Sequence, residues 1–263
     1  MIRLLHRLKG LVPALLTGLL LALPFGAGAT DIANMNDSER AAFGQEVRRY
    51  LLENPEVIVE VIRELEKRQA EARTAGDAAL IAANAKAIFD DGISWIGGNP
   101  EGDVTLVEYM DYRCPYCRKA GPEVAALLRK DGNIRYIVKE YPILGPDSTY
   151  ASKVAISTLR TLGPDAYARV HEALMTHEGP WNEKAMRRIL ARLGLDADKV
   201  LAGTEAPEVQ DHIDRILAQG RRLRIDGTPT FIIGDTFVRG YAPEHAMAQI
   251  VADVRKRGAG RPE

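Results

Sequence analysis

The chain has 263 residues, 46% hydrophobic and 27% charged, an ordinary globular composition with apolar material for one substantial core or two smaller ones. Its formal charge of −1 and pI near 6.6 exclude the clustered basic face that a nucleic-acid backbone requires, so nucleic acid is not an expected partner. Only two cysteines are present, which excludes a structural disulfide framework.

In chain order, Arg3, Arg7 and Lys9 precede the apolar run Leu11 to Phe25, and Ala27-Gly28-Ala29 follows. That is the three-part pattern of a secretory signal peptide, so residues 1–29 are expected to be removed after Ala29, leaving a mature chain of charge −4. An uncleaved anchor is the alternative, but Pro13, Gly18 and Pro24 punctuate a run shorter than the roughly 20 apolar residues that span a bilayer. Residues 30–92 form an expected N-terminal helical segment. Phe43, Val47, Tyr50 and Leu51 make one stripe, and Asn54-Pro55 supplies a cap and first turn for a second helix carrying Val57, Ile58, Val61, Ile62 and Leu65. A third pattern, Leu80, Ile81, Asn84, Ala87 and Ile88, follows Gly76-Asp77 and stops at Asp90-Asp91-Gly92. Stripes of this kind must pack on something, either the domain that follows or a second copy of the chain.

Beyond residue 93 the pattern mixes strands and helices. Val104 to Met110 and Ile134 to Glu140 read as strands, separated by a helical pattern through Cys117, Ala120, Val124 and Leu128 that ends at Asp131-Gly132. A strand, a helix and a strand in that order imply a parallel pair. Helices are expected over 148–162, 165–177, 182–193 and 198–224, then a hairpin of Thr230 to Ile233 and Thr236 to Val238 about Gly234-Asp235. Pro243 opens a terminal helix, and residues 259–263 are expected to be a disordered tail.

The chemistry concentrates in Cys114-Pro115-Tyr116-Cys117. Cysteines three apart at the start of a helix can join in a disulfide, and the first faces unpaired N–H groups that stabilise a thiolate. Cys114 is the expected exposed nucleophile and Cys117 the shielded resolving thiol, with no cofactor and no resident metal. A structural disulfide closing so short a loop stabilises by roughly 2 kcal/mol, and a zinc site lacks a second ligand pair, His171 and His177 being far along the chain. Copper(I) held by the two thiolates stays open. Glu108 alternates with Val104, Leu106 and Met110 on a strand that reads as buried on both faces, so its pKa is expected to rise, making it a candidate proton acceptor for Cys117. An ion pair with Lys139 on the neighbouring strand is the alternative.

The tetrapeptide, Pro122 inside the following helix, Lys139 to Gly145 and the distant Gly227-Thr228-Pro229-Thr230 resemble the DsbA-like branch of the thioredoxin superfamily over about residues 93–258. The N-terminal prologue is similar to that of its ScsC-like members. This resemblance implies an α/β thioredoxin-like fold with a helical subdomain inserted at about 148–224 and preceded by an N-terminal helical segment. It also implies a cis bond before Pro229, and substrate contacts from Pro115, Tyr116, Thr228 and Pro229. Exported proteins bearing thiols or disulfides become the expected substrates, a membrane protein the redox partner that resets the pair, a Gram-negative periplasm the location and a homo-oligomer through the N-terminal helices the assembly. Oxidising DsbA proteins usually carry His where Tyr116 stands, and Thr228 is similar to the isomerase branch. Disulfide isomerase or reductase is therefore the expected activity, with DsbA-type oxidase as runner-up and a copper(I) chaperone as the alternative of another class.

Overall fold

The computed structural model describes residues 34–260, so the expected signal peptide at 1–29 and the last three residues lie outside the described part. The described chain falls into two units, one ending at Arg63 and the other beginning at Glu64.

In the first unit, Asn36 caps helix α1 (Asp37–Glu53): its Oδ1 accepts from the Glu39 N–H at 3.0 Å while Glu39 Oε2 accepts from the Asn36 N–H at 2.9 Å. Asn54 does not cap the second helix. Its amide donates back to the Tyr50 carbonyl at 2.9 Å and closes α1, and helix α2 (Glu56–Ala83) starts after Pro55. Phe43, Val47, Tyr50, Ile58, Val61 and Ile62 all stand exposed, and Val47, Leu51, Leu52, Pro55 and Ile58 line an apolar groove between the two helices.

Gly76 does not end α2. It is exposed with open space around it, and the roughly 1 kcal/mol it costs in helix propensity is carried by strong helix formers on both sides. The break falls at Asn84, whose amide donates to the Leu80 carbonyl, and a short α3 (Ala85–Phe89) follows.

The second unit is built on a five-stranded sheet in the order β1-β3-β2-β4-β5. β2 (Val104–Met110) and β3 (Ile134–Glu140) run parallel in the register Glu108 to Val138, with α4 (Pro115–Asp131) between them in sequence. β4 (Thr230–Ile233) pairs antiparallel with β2 and with β5 (Thr236–Arg239). β1 (Trp95–Gly98), which the sequence pattern does not signal, adds an antiparallel edge to β3. Successive side chains of β2 alternate between two cores. Leu106 and Met110 pack with Cys117, Val124 and Leu127 of α4 and with Met247 and Val251 of α10 (Glu244–Arg257). Val107 and Tyr109 pack on the other face with Ile88 and Ile216. Glu108 shares the α4 face by the same alternation, which is how a carboxylate comes to lie beneath the cysteines.

Between β3 and β4 lie α5 (Pro146–Leu162), α6 (Pro164–Met175), α7 (Glu183–Arg192), α8 (Ala197–Gly203) and α9 (Pro207–Arg222). The single helix expected over 198–224 is two, because Pro207 occupies the first turn of a new helix and Thr204 closes the preceding one on the Leu201 carbonyl. The start of the expected disordered tail is also ordered: the Gly260 carbonyl accepts from Thr105 N–H at 2.8 Å, and Gly260 is buried against Asp103 and Val104.

Candidate active site

β2 ends at Met110, and the turn that follows is held by Asp111. Its Oδ1 accepts from Arg113 N–H at 2.8 Å, its Oδ2 accepts from Ile143 and Leu144 N–H at 2.9 and 3.0 Å, and its own carbonyl accepts from Cys114 N–H. Cys114 therefore arrives in extended conformation as the N-cap of α4, with Pro115 at the first helical position where a missing N–H costs nothing. The N–H groups of Tyr116 and Cys117 reach its sulfur. The Thr228–Pro229 bond is cis, and the Cys114 thiol donates to the Thr228 carbonyl at 3.1 Å.

Both cysteines are free thiols, Cys117 wholly buried and Cys114 only 4% exposed. The expectation of an exposed nucleophile is thus corrected. The Thr228 segment lies over Cys114, and the exposed side chain of the motif is Tyr116, at 61%. The two sulfurs have opposite character. The hydrogen bond from Cys117, joined by the Thr228 side chain and the N–H groups of Cys117 and Tyr116, outweighs burial and brings the Cys114 thiol down to about 5. Burial, its own hydrogen bond to Cys114 and the nearby charge of Glu108 push Cys117 far above the ordinary thiol range.

Glu108 is 1% exposed, and its ion-pair alternative does not hold: buried Lys139 bonds Asp91 at 2.7 Å instead. Lys139 lies in the register position next to Glu108's partner Val138, so its side chain leaves the sheet by the opposite face. Burial, opposed by a hydrogen bond from Tyr136 and reinforced by the charges of Cys114 and Glu140, pushes Glu108 up to about 7. Its Oε1 has no hydrogen-bond partner among the described residues.

A second buried carboxylate escapes the sequence reading. Glu140 accepts from Tyr167 at 2.6 Å and from Tyr112 and Ser152 at 2.7 Å, and burial still raises it to about 7. With its one hydrogen on Glu140, Tyr112 accepts from Nδ1–H of His171 at 3.0 Å. Burial brings His171 down to about 4 and keeps it neutral. Glu140 ends a strand much as Glu108 interrupts one, a signal that could have found it. Tyr112, Tyr136 and His171 carry no local signal, because their partners lie 28 to 59 residues away.

A low-pKa thiol backed by a protonated one, with a carboxylate of raised pKa on the same core face, can open a disulfide by nucleophilic attack and then release the product. Pro115, Tyr116, Thr228 and Pro229 surround the first sulfur in sequence or space.

Comparison with known proteins accords with this geometry. Residues 90–253, more than half of the chain, match the family described as "Thioredoxin", and residues 39–72 match "Copper resistance protein ScsC N-terminal domain". A thioredoxin-like oxidoreductase of known structure from Silicibacter pomeroyi is 38% identical, with a TM-score of 0.61 over 65% of this chain and 97% of that one. The thiol:disulfide interchange protein DsbA of Bordetella parapertussis is 27% identical over 52% of this chain and 66% of its own length. The Na(+)/H(+) antiporter NhaA 3 of Salinispora tropica is 27% identical over 64% of this chain, which spans only 26% of that relative. The chain belongs to the thioredoxin family, is similar within it to DsbA-like thiol-disulfide oxidoreductases, and carries an N-terminal segment that matches the ScsC type.

Proposed function

We propose that the protein exchanges disulfides with exported proteins in a Gram-negative periplasm, after removal of a signal peptide at Ala29, and that it works as an isomerase or reductase. Cys114 attacks a substrate disulfide, Cys117 resolves the mixed disulfide, Glu108 takes the Cys117 proton, and Pro115, Tyr116, Thr228 and Pro229 hold the substrate strand. The observation that carries the reading is the contrast at one helix mouth between Cys114 at about 5 and a protonated, buried Cys117.

The direction follows from how strongly the reduced form is stabilised. Tyr116 brings no charge to Cys114, whose pKa of about 5 lies between the roughly 7 of thioredoxin and the roughly 3.5 of DsbA. A less stabilised thiolate makes a weaker oxidant. A membrane redox protein resets the pair, and the exposed apolar faces of α1 and α2 are the surface through which copies of the chain associate. Among the described residues no helix is long and apolar enough to cross a membrane.

Equilibration with glutathione tests the direction. A potential of about −180 mV or lower is expected, and a value near the −120 mV of DsbA would establish the oxidase reading instead. The copper(I) chaperone is favoured only by the description matching residues 39–72. It gains the ground if a Cys117→Ser variant traps no substrate as a mixed disulfide while the intact chain retains stoichiometric copper(I).

A further inference from the structure

Cys117 is wholly buried, Cys114 almost so, and a substrate engaged at Cys114 lies over the front of the pair. A proton leaving Cys117 during resolution therefore needs another way to solvent. The structure offers one. A cavity of about 480 Å³ lies between α4 and α6, with Glu108 and Tyr136 buried at its inner end and Pro122, Ala125 and Glu172 exposed at its mouth. Partly buried His171 and Arg118 complete its polar wall. The unpartnered Oε1 belongs to the Glu108 that lines it. Pro122, having no N–H, also leaves the carbonyl of Arg118 without its helical donor, adding a second acceptor at this stretch of α4. A space of this size, with several polar groups along it, admits water.

We propose that the cavity between α4 and α6 is the route by which Glu108 trades its proton with solvent while a substrate covers the cysteine pair. The inference rests on Glu108 acting as the proton acceptor of Cys117. In the mixed disulfide, the substrate sulfur is bonded to Cys114. The Cys117 thiol gives its proton to the Glu108 carboxylate, and the resulting thiolate attacks Cys114. The Cys114–Cys117 bond forms, the bond to the substrate breaks, and the substrate sulfur leaves with the electron pair as a thiolate that water protonates on its own side. Two electrons pass from the protein's thiols to the substrate disulfide. Glu108, raised to about 7, carries a proton in part of the molecules at neutral pH, so it must first reach the carboxylate by releasing that proton down the cavity while the substrate covers the pair, and the proton taken from Cys117 leaves the same way. The groups facing it are Cys114 and Cys117 from α4, Tyr136 and Glu140 from β3, and Tyr167 from α6, with Arg118 and His171 along the wall.

Gly121 allows a direct test. It lines the cavity, and a Cβ added there meets only Met175 Cε, at an ordinary 3.5 Å. Gly121→Leu and, one turn on, Ala125→Leu fill the passage from two positions, and Gly121→Ala is the control that leaves it open. Rapid mixing of the reduced full chain with a peptide disulfide resolves formation of the mixed disulfide from its decay. Both leucine variants are expected to slow decay about tenfold at pH 7, to move the midpoint of its pH profile upward, and to keep formation within twofold of the parent, which also reports a folded centre. Gly121→Ala should match the parent in both steps. Decay at the parent rate in both leucine variants, with Glu108→Gln slow, would overturn the route and leave the proton acceptor standing. Decay at the parent rate in Glu108→Gln removes the acceptor and the route together.

Discussion

Glu108 titrates in a place that favours its neutral form, and this has a measurable sign. A carboxyl raised from 4.5 to about 7 binds its proton more tightly folded than unfolded. Relative to glutamine at that position, the parent is therefore at its most stable below about pH 4.5 and loses stability as pH rises through about 7, by on the order of 3 kcal/mol in all. Urea unfolding of the parent and Glu108→Gln at pH 4.5 and 7.5 should show the difference swing toward the glutamine variant by about that amount. A difference that does not change with pH refutes the assignment. At Cys114 the largest lowering influence is the hydrogen bond from Cys117. Cys117→Ala should raise the pH midpoint of Cys114 alkylation by on the order of one unit, and an unchanged midpoint contradicts that cause.

At the scale of elements, Asp111 joins the cysteine turn to the segment after β3 through three backbone N–H groups, those of Arg113, Ile143 and Leu144. Asp111→Ala leaves these donors unpaired and should cost about 3 kcal/mol or more, with the largest rise in amide exchange at Arg113, Ile143 and Leu144. Uniform loss of protection would instead indicate general unfolding. Gly97 is the seat of Trp95: a Cβ there would come within 2.0 Å of the indole, which stacks on Tyr167 at 5.3 Å. Gly97→Val should displace the ring and change its fluorescence. β2 and β3 are legible in the sequence to the residue, since strands buried on both faces are near-continuous runs with abrupt polar or glycine ends. β1 is not legible because Trp95-Ile96-Gly97-Gly98 has neither a run nor an alternation, and its place is set by pairing with β3. Gly76 misleads because an exposed glycine only weakens a helix, and 198–224 misleads because amphipathic spacing continues across Pro207. The burial of Glu108 is legible from alternation along β2. Its partner Tyr136 and the Glu140 cluster are not, because only the closed sheet and the inserted helices bring those residues together.

For the whole molecule, the proposed association through α1 and α2 separates one reactive centre from several in one assembly. Val47→Glu with Ile58→Glu places two charges in the apolar groove without touching a buried side chain. Light scattering of the mature chain should then fall from oligomer to monomer, and refolding of a scrambled substrate should decline more than simple disulfide reduction. A monomeric parent contradicts the assembly. The proposed exchange chemistry turns on the acidity of one sulfur, and thiolate absorbance of the reduced protein followed against pH reads it directly. A single ionisation at about pH 5, absent from the oxidised protein and from Cys114→Ser, is the predicted result. A first thiol ionisation between roughly pH 8 and 9, the range of an ordinary cysteine, would contradict it.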